Sequence, residues 1–363
     1  MGRPARGVIA RAPGAPVEPV TVLVPDPGPE EALVRVRACG VCHTDLLYRN
    51  GAMAGEFPFL LGHEAAGVVE AVGPDVAGLA PGDAVVLAWR APCGRCRYCR
   101  RGRPWLCVDS RTAARPTTLE DGTPLAPALG VGAFAERCLV AAGQAVKVDP
   151  SARPEAAALV GCGVMTGYGA VVRTAAVEAG DTVAVFGCGG VGCAAVHAAA
   201  LAGAARVIAV DIDPRKLDLA RQLGATDTVD SSRVNPVDAV RELTGGFGAD
   251  VTVEAVGRPE VLKQAFHARD RGGVLVQVGL PDPTMRVDLR MLDLFARGPV
   301  RPSRYGECLP SRDFPILIDL YLRGRYDLDR FVSETIALDQ VEEAFAKMQR
   351  NEVLRSVVVF PDA

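Results

Sequence analysis

The sequence has almost no net charge: 40 basic residues against 43 acidic ones leave −3. That balance gives no electrostatic footprint for nucleic acid or for an anionic membrane surface, so neither is expected as a partner. Lysine is scarce, with Lys147, Lys216, Lys263 and Lys347 the only ones among the basic residues. That bias fits a GC-rich coding sequence and says nothing about fold. The N-terminal stretch Met1–Val20 lacks the apolar run and cleavage pattern of an export signal, which points to a cytoplasmic protein. No internal repeat or low-complexity tract is visible. The one long apolar stretch, Val183–Val210, is broken by His197, Arg206 and several glycines. It reads as a buried strand, a glycine-rich turn and a helix, and no membrane partner is expected.

At 363 residues, 49% apolar and 23% charged, the chain has the composition of a soluble protein with room for two cores. Eleven cysteines without an export signal are not expected to form a disulfide framework. Four of them fall within Cys93–Cys107.

Up to about Pro150 the sequence is made of short apolar runs set off by Gly and Pro, such as Ala32–Ala38, Glu64–Val72 and Asp83–Ala88. This predicts a β-rich domain. From Thr182 the rhythm changes. Short apolar runs (Thr182–Phe186, Arg206–Val210, Asp250–Val256, Gly273–Val278) alternate with helical stretches (Val191–Ala202, Pro214–Leu223, Pro259–Ala268). Such alternation predicts an α/β, doubly wound parallel sheet. In the tail, helices are predicted over Arg312–Leu322 and Asp339–Gln349, then a strand over Ser356–Phe360 that returns to the first domain.

Cys93, Cys96, Cys99 and Cys107 follow the spacing C-x2-C-x2-C-x7-C. Four thiolates so close together can converge on one tetrahedral ion, and zinc with four sulfurs is the usual closed structural site. An iron–sulfur cluster is the alternative, but nothing else in the chain suggests electron transfer. Arg95, Arg97, Arg100, Arg101 and Arg103 would offset the charge of such a site.

Gly187, Gly189, Gly190, Val191 and Gly192 belong to a G-x-G-x-x-G turn that follows a predicted strand and opens a helix. Glycines there allow a tight turn and a close approach to a pyrophosphate, which the helix N-terminus attracts. Asp211, about nineteen residues further on, ends the next strand. Its carboxylate can bond the adenine-ribose hydroxyls and repel a 2′-phosphate, which predicts NAD over NADP.

The segments Gly40–Asp45, Gly62–Glu64 and Gly161–Gly163 resemble the signatures of zinc-containing medium-chain alcohol dehydrogenases. The four-cysteine lobe and the glycine turn occur in that family's order, and the resemblance runs over nearly the whole chain. It implies a GroES-like β-rich catalytic domain over 1–163 and 305–363, carrying the 93–107 lobe, and a Rossmann domain over 164–304. It implies two zincs per subunit, the catalytic one held by Cys42, His63 and Cys162 with a position left open for water or substrate oxygen. Asp45 would fix the His63 ring, Glu64 would assist ligand exchange at the metal, and Thr44 would take the alcohol proton. His43 and Arg355 would contact the coenzyme pyrophosphate, and Lys216 the adenine ribose. Thr166, Val278, Gly279 and Leu280 would wall the nicotinamide. Family members commonly carry a histidine where this chain has Leu47, so the proton's route beyond Thr44 must use water or another group. Self-association as a dimer or tetramer is implied as well.

The segments Glu56–Leu61, Tyr305–Pro315 and Asn351–Arg355 are similar to the mycothiol-dependent formaldehyde dehydrogenases. That similarity implies a thiol–formaldehyde adduct, S-(hydroxymethyl)mycothiol, as the alcohol oxidised. A general primary- or aromatic-alcohol dehydrogenase, a glutathione-dependent formaldehyde dehydrogenase and a non-catalytic NAD-binding protein remain as alternatives. Arg111, Arg301 and Arg304 are candidate donors to a polar thiol.

Overall fold

The computed structural model describes residues 2–282 and 284–361. It divides into two compact units: the first runs to Cys162 and resumes at Leu309, and the second spans Gly163–Cys308.

In the first unit long strands pair antiparallel, and the central one, Glu31–Gly40, is buried over most of its length. Glu31–Gly40 lies at the centre of one sheet, flanked by Glu64–Val72 and Arg137–Ala141. Its far end takes the last strand of the chain, Ser356–Val359, with Val357 opposite Gly40. The C-terminal segment thus closes a sheet begun some 300 residues earlier, which places Arg355 and Gly40 in one neighbourhood. A second sheet is built on Arg3–Ala10 and Glu18–Val24. Val34, Val36, Leu61, Val85, Leu87 and Phe134 belong to the unit's main core.

The second unit holds a parallel sheet ordered Asp227–Asp230, Arg206–Asp211, Thr182–Phe186, Ala249–Glu254, Arg269–Gln277 and Val300–Pro302. The order reverses at Thr182–Phe186, and in such sheets ligands bind at the carboxyl ends of the strands beside that reversal. The central strands are buried on both faces and therefore read as continuous apolar runs.

Helices Gly190–Ala202, Pro214–Gln222 and Pro259–Ala268 follow the expected stretches to within a residue. The strand Asp227–Asp230, the helix Pro236–Leu243, the helix Met291–Ala296 and the edge strand Val300–Pro302 were not anticipated. Val183–Val210 is strand, turn, helix and strand. Among the described residues no single helix is long and apolar enough to cross a membrane.

The boundary expected at 304/305 falls instead at Cys308/Leu309. The turn Tyr305–Glu307 packs on helix Gly163–Gly169 so closely that a Cβ on Gly169 would stand 2.2 Å from the Gly306 carbonyl oxygen. Residues 305–308 are therefore part of the second unit.

Candidate active site

The helix His43–Arg49 starts from Cys42, and Asp45 in its first turn supplies the hydrogen bonds that shape the site. Its Oδ2 accepts the Cys42 N–H at 3.2 Å, its Oδ1 accepts the Gly62 N–H at 2.9 Å, and Oδ1 also lies 3.0 Å from His63 Nδ1. One buried carboxylate thus ties the Cys42 turn to the His63 turn and orients the imidazole. The other ring nitrogen, His63 Nε2, is buried and makes no hydrogen bond.

That nitrogen faces the remaining members of a four-residue group. The ligand atoms of Cys42, His63, Glu64 and Cys162 all lie within 4.8 Å of one another. Cys162 comes from the turn after Leu159–Gly161, a segment packed on the strand that begins at Glu64. The donor set is two sulfurs, an imidazole nitrogen deprived of a partner and a nearby carboxylate. It fits a zinc ion with an exchangeable position.

The four groups act strongly on one another's ionisation. A hydrogen bond from Cys162 holds the Cys42 thiol well below its usual pKa, assisted by Arg355 and His63. Cys162 is pushed up by the same pairing and by burial. Burial works against a charged His63, but Asp45 and Cys42 outweigh it and raise its pKa. Burial raises Glu64 to about 7, against the pull of Arg355.

Arg355 has partners that the sequence did not announce. Its Nη2 donates to Glu64 Oε1 at 3.3 Å and lies 3.8 Å from Cys42 Sγ. The guanidinium is buried against Cys42 and Glu64. Sequence reasoning missed this pair because 291 positions separate its members. Only the return of the last strand to Gly40 joins them.

Thr44 is half-buried on the same helix, His43 is exposed, and Leu47 is half-buried.

In the lobe, Cys96 and Cys99 sulfurs are 3.6 Å apart, Cys93 and Cys107 are 3.6 Å apart, and Cys96 and Cys107 are 3.9 Å apart. A tetrahedron of sulfurs at the zinc–thiolate bond length has edges of about 3.8 Å. The backbone N–H groups of Cys93 and Cys96 point at Cys107 and Cys93 sulfurs, each at 3.3 Å. Backbone N–H groups, those of Cys99 and Val108 first, lower Cys96 to about 6. The residues fit a closed four-sulfur zinc. Of the arginines, Arg95 is engaged by Asp109 at 3.1 Å, and Arg97, Arg100, Arg101 and Arg103 are exposed around the lobe.

In the second unit Gly187–Gly192 lies between strand Thr182–Phe186 and helix Gly190–Ala202. A Cβ on Gly192 would stand 1.7 Å from the Gly187 carbonyl oxygen, so only glycine closes this turn. Asp211, buried at the end of its strand, accepts the Cys188 N–H at 2.6 Å and the Asp213 N–H at 2.9 Å. Lys216, half-buried, follows on helix Pro214–Gln222. Thr166 is half-buried on Gly163–Gly169, and Leu280 is exposed beyond the end of Arg269–Gln277.

Residues 28–150 match the alcohol dehydrogenase GroES-like domain family, and residues 190–323 match the zinc-binding dehydrogenase family. The S-(hydroxymethyl)glutathione dehydrogenase of Escherichia coli is 37% identical over 97% of this chain and 99% of its own. The benzyl alcohol dehydrogenase of Acinetobacter calcoaceticus superposes with a TM-score of 0.92 at 31% identity, over 99% of this chain and 100% of that one. A structure from Sinorhizobium meliloti bound to NADP superposes with a TM-score of 0.86 at 30% identity, again over 99% and 100%. The chain belongs to the family of zinc-dependent medium-chain alcohol dehydrogenases.

Proposed function

We propose that this enzyme oxidises the hydroxymethyl group of a thiol–formaldehyde adduct with NAD, and that the thiol is mycothiol. The observation that carries the dehydrogenase chemistry is the buried Cys42–His63–Cys162 group with Thr44 on the helix that Cys42 begins. Zinc held by Cys42, His63 and Cys162 would supply Lewis acidity toward the substrate hydroxyl, and NAD held at the glycine turn would supply the hydride acceptor. The chain's own residues do the rest. Asp45 fixes the His63 ring so that Nε2 faces the metal position. Thr44 accepts the hydroxyl proton. Arg355 holds Glu64 beside the ligands and offsets the charge of Cys42.

The adduct reading draws support from the name of the E. coli relative, whose substrate is the glutathione counterpart. Mycothiol is favoured by the segments around Tyr305–Pro315. The three candidate donors are all exposed; Arg111 pairs with Glu30 at 2.6 Å and Arg301 donates to the Thr174 carbonyl at 3.0 Å. A polar thiol that bonded Arg304 would displace neither of these contacts. Remote contacts of this kind orient the reacting carbon. Formaldehyde with mycothiol should therefore give a far higher kcat/KM than formaldehyde alone or with glutathione. The Acinetobacter relative supports a second reading, an aromatic alcohol. If benzyl alcohol outruns the mycothiol adduct in side-by-side kinetics, that reading replaces the first.

Asp211 supports NAD as coenzyme. Replacing it with glycine removes charged hydrogen bonds to the ribose and the repulsion of a 2′-phosphate. The ratio of kcat/KM for NAD over NADP should then fall by about ten- to a hundred-fold. The Sinorhizobium neighbour makes the test pointed: a parent enzyme already preferring NADP would refute the assignment.

Self-association is proposed through the edge of the parallel sheet. Val300–Pro302 is exposed along its length, and Met291 and Phe295, in the helix that precedes it in the chain, are 79% and 89% exposed. Exposed edge strands and apolar patches of this kind are normally covered. A second copy would cover them, so light scattering should report a dimer or tetramer. Phe295→Asp should lower that mass, and a strictly monomeric parent would end the proposal. A cytoplasmic location is supported by eleven cysteines, none of them in a disulfide.

A further inference from the structure

The most buried carboxylate of the second unit has no part in the site described above. Glu254 is 1% exposed and ends strand Ala249–Glu254, paired beside Phe186, where the glycine turn begins. Its side chain and its backbone both act as acceptors. Oε1 takes the N–H of Val256 at 2.8 Å and of Gly257 at 2.7 Å. The backbone carbonyl takes the N–H of Val278 and of Gly279, each at 2.9 Å.

Two loops leaving adjacent strands are therefore tied to one residue, 255–257 through its carboxylate and 278–280 through its carbonyl. They also touch each other. A Cβ on Gly279 would stand 2.1 Å from the Gly257 nitrogen and 2.7 Å from Glu254 Oε2. Oε2 itself is buried without a hydrogen bond. On its other side the 255–257 loop reaches the glycine turn, where a Cβ on Gly187 would meet Val256 Cγ2 at 2.4 Å.

A position needed only for packing would carry an apolar side chain, because a buried carboxylate is costly. Burial indeed raises the pKa of Glu254, and the N–H groups of Gly257, Val256 and Arg258 act against that rise. What the carboxylate provides is geometry: it fixes the 255–257 loop, which touches Gly187 on one side and the Val278–Leu280 segment, through Gly257 and Gly279, on the other.

We propose that Glu254 is a positioning residue for the nicotinamide half of the coenzyme, holding the Val278–Leu280 wall in register with the glycine turn. This rests on the coenzyme reading above. Asp211, at the adenosine end, lies on the far side of Thr182–Phe186 from Glu254. Loss of the carboxylate should therefore be felt at one end of the coenzyme only.

The test is calorimetric binding of NADH and of ADP-ribose, which lacks nicotinamide, to the full-length parent, Glu254→Ala and Glu254→Gln. Alanine removes an acceptor shared by two buried N–H groups, and NADH should bind about ten- to a hundred-fold more weakly. ADP-ribose affinity should not change. Glutamine keeps an accepting oxygen and should restore NADH binding. Equal weakening of both ligands, or no rescue by glutamine, would reduce Glu254 to a folding residue and overturn the proposal. If Glu254→Ala does not fold, Gly279→Ala displaces the same segment from the other side and must split the two ligands in the same way. A parent chain that binds neither ligand would instead remove the coenzyme reading itself, and this inference with it.

Discussion

Thr44→Ala is expected to lower turnover by about 10²–10⁴-fold, the range for loss of a positioned proton-transfer group. Thr44 follows the proposed metal ligand Cys42 by two residues on a helix pinned at both ends of its first turn. Cys42 N–H and Gly62 N–H are bound to Asp45, which also holds His63. The hydroxyl is thus carried by the same short element that carries a metal ligand, and its distance from the metal position is fixed by that element. It is half-buried, so bulk water does not substitute for it freely. Alanine removes the hydroxyl without touching Asp45 or the ligand set, so zinc content and NADH affinity should hold while kcat falls. Thr44→Ser keeps the hydroxyl and should recover most of the rate. Full activity in Thr44→Ala would put the proton path elsewhere. Leu47 cannot take the proton onward, so Leu47→Ala, which adds no proton carrier, should leave the rate within a few-fold of the parent.

The parts of this architecture that were legible in the sequence are those whose signal is local. Four cysteines within fifteen residues can be read as one site because a short loop brings them together in almost any fold. The glycine turn is legible because strand, turn and helix are consecutive, and Asp211 because it ends the very next strand. The catalytic metal set carries no such signal. Cys42, His63 and Cys162 are brought together by strand pairing and by Asp45, and only family resemblance linked them in advance. The Arg355–Glu64 pair depends on the last strand of the chain and was beyond local reading. Helix Pro236–Leu243 was not anticipated although its start signal is local: Asn235 caps it by accepting the Val237 N–H at 2.9 Å, and proline opens it. Met291–Ala296 and Val300–Pro302 were obscured because their apolar residues face outward. Glu254 was missed because it lies within the expected run Asp250–Val256, and the strand's end at Glu254 has no local signal. In the structure it is the point from which two loops hang.

Cys99→Ser should take zinc from two per subunit to one, with a large loss of stability and soluble yield. The lobe has little else to hold it. Its helix, Arg97–Arg100, is four residues long and buries nothing, and Trp105 and Leu106 are only half-buried. A helix that short does not persist in water unaided. Four thiolates gathered to 3.6–3.9 Å also repel one another unless a cation sits among them. Structural zinc contributes about 10–16 kcal/mol of apparent binding free energy in small zinc domains, and that energy is folding energy. Chelation separates the two sites. The group at Cys42, His63 and Cys162 has an exchangeable position and should empty first, so activity should vanish while the melting temperature changes little. The four-sulfur site is closed and should empty only with unfolding. Zinc content, melting temperature and activity all unchanged in Cys99→Ser would show that the lobe holds no metal.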